Sequence, residues 1–268
     1  VQKASKPVSG IAEMSIGNKP VDGGYLLLNA SQLKTLGLTT EQRDRYISRI
    51  YGSAEFIRGQ DRYCLWILDK HLNEAMDVRS IRQRIESVRN MRLVSPKSPT
   101  VAIANRPHKF GEIRQSGNET VIIVPSVSSE IREYLPVGYL RPGTIVSNLA
   151  FVLFDVPLWN MALIASRLHL VWIATVCGKL KTDFRYSNTL GWNTFPVPLL
   201  TEKNKADLTR CAEDILLTRE AHFPATIADL YDPDTMPADL RAAHDRNDEV
   251  LERIYIGRRF KNDTERLE

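Results

Sequence analysis

The chain has 268 residues, 43% of them hydrophobic and 25% charged, so it can bury an ordinary core as one or two domains. No apolar run approaches the ~18 residues of a membrane-spanning helix, which excludes that class. Residues 201–268 hold sixteen acidic and eleven basic residues, whereas residues 1–200 hold sixteen acidic and twenty-five basic ones. This asymmetry indicates either a polyanionic partner for the basic part or a solvated basic surface, which is the commoner case.

The first quarter of the chain is predicted to begin with a linker that leads into a domain, followed by a helix and a strand. Residues 1–24 are polar and contain two prolines and an Asp-Gly-Gly turn. A surface helix begins near Thr39 or Thr40, either of which can cap it. Residues 63–68, YCLWIL, have strand composition and follow a turn at residues 58–61.

An amphipathic helix is predicted over residues 72–91. Its apolar residues recur at three- and four-residue spacing and are Val78, Ile81, Ile85 and Val88. Four arginines lie off this stripe, namely Arg79, Arg82, Arg84 and Arg89. Residues 77–118 together carry nine basic and three acidic residues, so positive charge concentrates in this part of the chain.

The middle of the chain is predicted to contribute most of the strands. Residues 95–118 are loop-rich, and strands follow at residues 120–125, 134–140 and 145–154. A helix over residues 158–177 supplies apolar side chains for a core, and the glycine that follows can end it.

Residues 181–198, KTDFRYSNTLGWNTFPVP, alternate aromatic and hydrogen-bonding side chains. The aromatics expected to pack in the core are Phe184, Trp192 and Phe195. The prolines of FPVP mark a domain edge, and helices follow at residues 202–221 and 237–255. Strands and helices that do not alternate regularly predict an α+β fold with a mixed sheet and a small helical C-terminal subdomain.

No catalytic or metal-binding motif is recognisable. The chain lacks a GxxxxGK[ST] loop, a GxGxxG turn, a GxSxG elbow and any HxxxH or HExxH pair, although a triad assembled only in the folded protein stays open. Three cysteines without CxxC spacing argue against disulfides and zinc, and favour a reducing, cytoplasmic compartment. The start VQKASKPVSG lacks a signal-peptide core, and its missing initiator Met indicates a cut fragment.

Three polar stretches carry groups suited to nucleic acid. RPHKF, residues 106–110, offers loop cations for phosphates, but a solvated loop is the favoured interpretation of that stretch alone. SVSSEIREYLP, residues 126–136, has two equally supported interpretations: a contact with phosphates or bases, and a capped helical turn. Further on, Lys179, Lys181 and Arg185 lie close together and are followed by amides and hydroxyls, the groups that bind phosphates and base edges.

Five stretches occur in the order IGNKPVDGGYLLL, YGSAEFIRGQDRYCLWI, VSSEIREYLPVGYL, CGKLKTDFRYSNTLGWNTFPVP and IADLYDPDTMPADLRAAHDRNDEVLERIY. In sequence and order they resemble the C-terminal part of MmeI-type (type IIL) restriction–modification enzymes and their DNA adenine methyltransferase relatives. The resemblance covers nearly the whole chain. Two positions depart from the family pattern: its usual FPWP is FPVP at residues 195–198, and its usual tyrosine before Asn193 is Trp192. We interpret both as changes in packing.

The resemblance implies a domain organisation and a parent enzyme. Residues 1–21 would be the linker from an absent methyltransferase domain, residues 22–199 a DNA target recognition domain, and residues 200–268 the helical C-terminal subdomain. The parent would be an S-adenosylmethionine-dependent N6-adenine DNA methyltransferase of bacterial defence, either with or without a fused nuclease. The fragment itself would hold no catalytic residue, metal or cofactor. Its partners would be double-stranded DNA and the methyltransferase domain of the same chain.

The polar stretches and the resemblance together give the expected contact residues. Phosphate contacts are expected at Arg106, Lys109, Lys179, Lys181 and Arg185. Base-reading side chains are expected at Arg132, Arg141, Arg167, His169 and Asn193. The resemblance further implies that the interleaved Lys, Arg, Ser and Asn side chains of residues 181–194 face DNA while the aromatics pack inward.

Two other classes of function stay open at the level of sequence. A docking module would use the acidic helical tail to assemble a methyltransferase complex without itself binding DNA. A nuclease or transferase in its own right would show turnover that depends on a metal or a cofactor. DNA affinity and the effect of added cofactor distinguish these classes from a recognition domain.

Overall fold

The computed structural model describes residues 1–268 as an assembly of short strands and twelve α-helices. The strands are β1 (Ser15–Ile16), β2 (Leu27–Asn29), β3 (Ile47–Tyr51), β4 (Arg62–Leu65), β5 (Val121–Pro125), β6 (Val127–Ser128), β7 (Gly138–Leu140), β8 (Thr144–Val146), β9 (Ala150–Phe154), β10 (Lys179–Leu180) and β11 (Asp183–Arg185). The helices are α1 (Ala30–Thr35), α2 (Thr40–Tyr46), α3 (Ser53–Arg58), α4 (Leu72–Asp77), α5 (Arg79–Leu93), α6 (Ser98–Ala102), α7 (Trp159–Ile164), α8 (Arg167–Val176), α9 (Glu202–Ala221), α10 (Ile227–Leu230), α11 (Ala238–Ile256) and α12 (Asp263–Leu267). None of them is both long and apolar enough to cross a membrane.

The strands form three small sheets. A four-stranded antiparallel sheet has the order β1-β9-β5-β7, and a three-stranded one has the order β10-β11-β6. The third sheet, β2-β4-β3-β8, is mixed, because β3 and β8 run parallel while its other pairs are antiparallel. This architecture confirms the predicted α+β fold with mixed pairing and C-terminal helices.

The buried hydrophobic residues form two large cores and one small cluster of five residues from β5, β8 and β9. One large core joins the mixed sheet to α5 and buries the predicted stripe residues Ile81, Ile85 and Val88. The larger core joins the antiparallel sheet to α7 and α8 and also takes side chains from α9 and α11. The C-terminal helices therefore pack into the core of the preceding part of the chain and do not form a core of their own.

Polar contacts also connect residues 200–268 to residues 1–199. Arg219 donates to the carbonyl oxygen of Val137, and the Asn247 amide donates to the carbonyl oxygen of Ala162 at 2.9 Å. Both side chains are buried, so these bonds satisfy groups that would otherwise be costly in the interior.

Residues 1–21, expected to be a linker, are part of the folded body. Ser15 and Ile16 add a strand to the antiparallel sheet. Ahead of them, the backbone N–H groups of Ala4 and Val8 donate to the carbonyl oxygens of Thr189 and Asn193 at 3.0 and 2.8 Å. Residues 4–16 are thus paired with the stretch NTLGWNTFPVP, residues 188–198, and with the antiparallel sheet, so they are not a linker.

Three long predicted elements are each divided in the structure. The helix over residues 72–91 is interrupted at Val78, whose backbone is extended. The helix over residues 158–177 restarts at Ser166, whose hydroxyl accepts from the backbone N–H of His169 as a helix cap. The strand over residues 145–154 is split into β8 and β9 by a turn at residues 147–149. Apolar periodicity continues across these breaks, so it does not report them.

Candidate nucleic-acid interface

The β10–β11 hairpin brings three of the expected phosphate-binding residues together. Lys179 pairs with Phe184 across the hairpin, and the backbone N–H of Arg185 donates to the carbonyl oxygen of Gly178 at 3.0 Å. Lys181 is in the turn between the two strands. All three side chains are exposed, which concentrates positive charge on one short, rigid element.

The hairpin cations differ in how freely they can meet a phosphate. The Lys179 ammonium forms an ion pair of 3.0 Å with Glu130, whereas Lys181 and Arg185 have no carboxylate within 4.0 Å and no hydrogen-bond acceptor. Both ions of the Lys179 pair are well exposed, so the pair contributes little stability and exchanges easily for a phosphate. Lys181 and Arg185 are therefore the best-placed cations for a phosphate contact.

Lys181 occupies a conformation that normally favours glycine, because its φ angle is +58°. We expect Lys181→Gly to leave the free energy of unfolding within ~1 kcal/mol of wild type, because relief of strain offsets the added chain entropy. The same variant should reduce the slope of log affinity against log salt by ~0.9, as for one lost phosphate contact. Salt titrations with a labelled duplex and a urea melt measure both quantities.

Lys181→Asn is the matched variant, because asparagine tolerates a positive φ angle and carries no charge. It should show the same loss of salt dependence as Lys181→Gly. An unchanged slope in both variants would mean that the Lys181 side chain does not meet a phosphate.

A turn at residues 147–149 lies beside the hairpin sheet. The hydroxyls of Ser53 and Ser126 both donate to the carbonyl oxygen of Leu149, and the backbone N–H of Tyr186, next to Arg185, donates to the carbonyl oxygen of Ser126 at 2.9 Å. The Leu149 side chain is 55% exposed. An exposed apolar side chain in a turn anchored through its backbone suits contact with a thymine methyl group.

Gly17 fixes the opposite side of this turn. A Cβ atom at Gly17 would lie 2.3 Å from the carbonyl oxygen of Ser147, so only glycine allows this approach. The backbone N–H of Asn148 donates to the carbonyl oxygen of Asn18 at 2.8 Å, while its side-chain amide makes no hydrogen bond and is half-exposed. An amide with free donors and acceptor can pair with an adenine edge.

Sequence reasoning missed Asn148 and Leu149. The run from residue 145 to residue 154 is apolar enough to be taken as one strand. The signal that could have found the turn is the Ser-Asn pair in the middle of that run, since both residues favour turns.

Two expected base-reading arginines lie in different settings. Arg132 is half-buried beside the hairpin sheet, and its guanidinium lies 3.4 Å from the hydroxyl of Ser128, which pairs with Phe184. Burial lowers the pKa of Arg132, while the carboxylates of Asp183 and Asp232 oppose that shift. Arg141 is exposed in the turn between β7 and β8 and has no partner, and no contact connects it to the hairpin.

The other two residues expected to contact phosphates have partners within the protein. The Arg106 guanidinium donates to the carbonyl oxygen of Gly111 at 2.9 Å, and the Lys109 ammonium pairs with Asp69. His108 between them donates to or accepts from the same Asp69 carboxylate at 2.8 Å. RPHKF is therefore an ordered loop whose polar groups stabilise its own conformation, and it is separate from the hairpin.

His169 and Asn193 are interior residues, which corrects the expectation that they read bases. His169 is fully buried, lies 3.0 Å from the Tyr186 hydroxyl, and packs edge-on against Phe195. Burial lowers the pKa of His169 to about 3, so the ring is neutral. The Asn193 amide donates to the carbonyl oxygen of Ala4 at 2.9 Å. Neither side chain offers an atom to a duplex.

Arg167 is also engaged inside the protein. Its guanidinium donates to the Asp263 carboxylate at 2.6 Å and to the carbonyl oxygen of Glu133 at 3.3 Å. These contacts connect α12 to α8 and use three of the five N–H groups of Arg167, so most of its donors are engaged within the protein and not available for base reading.

The stretch NTLGWNTFPVP, residues 188–198, directs polar groups as well as aromatic side chains towards the interior. The indole N–H of Trp192 donates to the carbonyl oxygen of Ala12 at 2.7 Å, and the Asn188 amide donates to that of Met14 at 3.0 Å. Trp192 and Phe195 pack in the core as predicted. The asparagines of this stretch hold the N-terminal segment, whereas the exposed cations all precede it.

No group of three or more His, Cys, Asp or Glu side chains is arranged to hold a metal ion. The candidate interface thus consists of cations, hydroxyls, an amide and an exposed leucine. Such a surface can bind a polyanion and contact base edges.

Comparison with known proteins gives two family matches that together span the chain. Residues 1–199 match the family described as "MmeI, target recognition domain", and residues 200–268 match "MmeI, C-terminal domain". The DNA methyltransferase A of Bacillus subtilis (strain 168) is 38% identical over 268 residues, which is all of this chain and 30% of that protein.

A solved structure is also similar. The type IIL restriction-modification enzyme MmeI in complex with DNA superposes with a TM-score of 0.91 at 31% identity, covering 99% of this chain and 35% of that one. The chain thus spans about a third of the length of the relatives it matches.

Proposed function

The chain belongs to the MmeI family, matching its target recognition and C-terminal domains, and from this we propose that it recognises a specific sequence in duplex DNA. The observation that carries the proposal is the hairpin with its unpaired Lys181 and Arg185 beside the turn that exposes Leu149. Cations on a rigid element supply affinity and register, and neighbouring base-edge contacts supply specificity. The solved structure of MmeI with DNA supports the same assignment.

In this proposal the hairpin and the turn have different tasks. Lys179, Lys181 and Arg185 contact phosphates and fix the domain on the duplex. Arg132, Asn148 and Leu149 lie next to them and contact base edges, which the major groove presents in a pattern distinct for each base pair. Arg141 is the remaining base-reading candidate, on a separate turn.

We further propose that residues 22–199 carry the recognition surface and that residues 200–268 support it. The parent is then an S-adenosylmethionine-dependent N6-adenine DNA methyltransferase whose catalytic domain acts on an adenine flipped from the duplex. The name of the Bacillus subtilis relative supports a methyltransferase, and the cofactor belongs to that absent domain. A cytoplasmic protein of a restriction–modification system follows from the same proposal.

The test is fluorescence anisotropy of a labelled duplex titrated with the chain at several salt concentrations. We expect affinity that falls log-linearly with salt, with a dissociation constant of ~10⁻⁴–10⁻⁶ M for non-specific sequence near physiological salt. A selection from a random duplex library should then enrich one sequence, and Arg132→Ala should relax the preference at one position, at a cost of ~1–3 kcal/mol.

The docking alternative makes the opposite expectation. If residues 200–268 only assemble a methyltransferase complex, the chain binds no duplex even at low salt but binds an added methyltransferase domain. DNA binding that appears only when that domain is present would instead indicate a clamp that needs both halves.

A further inference from the structure

Helix α5 has an exposed side that the proposed interface does not use. Three of its arginines, Arg79, Arg82 and Arg89, are exposed and lie three or seven residues apart, which places them on one side of the helix. None has a carboxylate within 4.0 Å or any hydrogen-bond acceptor. The opposite side of α5 is anchored in the core by Ile81, Ile85 and Val88.

Unpaired cations are common in residues 1–200, where nine of the twenty-five Lys and Arg residues form an ion pair with a carboxylate, but they are rare in the acidic part of the chain. Among residues 201–268 every cation except Arg219 and Lys261 forms an ion pair with a carboxylate. Glu86 lies on the arginine side of α5 yet pairs with none of the three arginines. The three unpaired guanidinium groups thus outnumber the one carboxylate on their side of α5, which leaves that side with a net positive charge.

A polar groove runs along the third side of the same helix. It has a volume of about 500 Å³ and lies between α5, α1 and the turn at Gly23–Gly24. Its polar lining side chains are Gln32, Thr35, Ser80, Gln83, Arg84 and Ser87. None of the residues that line it is acidic, and hydroxyl, amide and guanidinium donors are the groups that bind phosphate oxygens.

Backbone geometry adds to this chemistry. Gly23 and Gly24 have φ angles of +63° and +86°, and nothing lies within 4 Å of the position where a Cβ of Gly24 would be. The bare backbone at the mouth of the groove therefore allows close approach of a ligand chain. The Arg84 guanidinium is held by the carbonyl oxygen of Tyr25 at 2.7 Å, which fixes one cation at the edge of the groove.

We propose that the arginine side of α5 and this groove form a second DNA-binding surface, which holds the sugar-phosphate backbone of the duplex outside the recognised sequence. The inference rests on the proposed function, since it assumes that the chain binds duplex DNA. Residues 77–118 are rich in positive charge, but Arg106 and Lys109 have partners within the protein. The second surface would therefore use the α5 arginines of this region to bind DNA. Contacts to backbone alone add affinity without sequence preference.

The test compares the triple variant Arg79→Gln/Arg82→Gln/Arg89→Gln with wild type on a ~30-base-pair and a ~10-base-pair duplex that share the same centre. On the long duplex we expect the salt slope to fall by up to ~2.7 and the affinity to fall at least about tenfold at ~50 mM salt. On the short duplex the salt slope and the affinity of the triple variant should each differ from wild type by less than about twofold. Thermal unfolding should be unchanged, because the three side chains have no partners.

The matched control is Arg210→Gln/Arg246→Gln/Arg253→Gln, which removes the same charge from exposed cations of α9 and α11. If the control weakens long-duplex binding as much as the α5 triple, net charge alone explains the effect and the second surface is rejected. If wild type binds and the α5 triple binds the long duplex equally well, the inference fails while the proposed function stands. If wild type binds neither duplex, the proposed function itself fails.

Discussion

Replacing Arg92 with methionine should lower the free energy of unfolding by ~3–5 kcal/mol, because several hydrogen bonds are lost together and those that involve a charged group contribute ~1.5–3 kcal/mol each. Arg92 is fully buried and uses all five of its N–H donors. Its acceptors are the backbone carbonyl oxygens of Pro20, Val21, Ile103, Arg106 and Lys109. Methionine fills similar space but donates nothing, so five carbonyl groups lose a partner at once.

Urea unfolding of Arg92→Met against wild type measures this loss. Arg89→Met is the control, because Arg89 is on the same helix, exposed and without partners, so its replacement should cost less than ~0.5 kcal/mol. Arg92→Lys should fall near the methionine variant, because an ammonium has three donors and cannot reproduce the planar fork. A loss below ~1 kcal/mol for Arg92→Met would mean that the loop around residues 103–109 is held by other contacts.

Replacing Trp192 with alanine should cost ~3–5 kcal/mol, as for other large buried aromatics. Trp192 is fully buried in the larger core, and its indole N–H donates to the carbonyl oxygen of Ala12. Trp192→Phe keeps most of the apolar contact but leaves that carbonyl group unpaired, so we expect a smaller cost of ~1–3 kcal/mol.

Trp172→Phe provides the matched comparison. The indole N–H of Trp172 is buried and has no acceptor, so its removal takes away an unpaired donor and not a hydrogen bond. This change should be far less costly than Trp192→Phe, and hydrogen exchange at residues 4–14 should accelerate only in the Trp192 variants. Equal costs for the two Trp→Phe changes would contradict the role given to the bond with Ala12.

The sequence predicted those parts of the fold whose signals are local. The bounds of α9 agree with the predicted helix over residues 202–221, because Thr201 caps it and good helix formers fill it. The division at Val78 was not predictable, because apolar spacing continues through it. The pairing of residues 4–14 with residues 188–198 joins segments more than 170 residues apart, and no periodicity in the sequence indicates such contacts.

The residues of the candidate site were also predictable only where they lie close together along the chain. Lys179, Lys181 and Arg185 are close in sequence, so their grouping in a hairpin follows from a local pattern. Arg167 and Lys109 were expected to be free because their carboxylate partners, Asp263 and Asp69, lie far away along the chain. The sequence shows each cation but not a partner that is distant along the chain. The number of cations available to DNA is therefore overestimated from sequence alone.

Site-directed photo-crosslinking shows whether the hairpin and the neighbouring turn face DNA. A photoreactive phenylalanine analogue would replace Leu180 in the hairpin, Leu149 in the turn, or Leu217 on α9, which are 50%, 55% and 63% exposed. We predict crosslinks to a labelled duplex from positions 180 and 149, lost at high salt, and none from position 217. Crosslinking from position 217 alone, or from all three positions equally, would mean that the hairpin and the turn are not the surface that faces DNA.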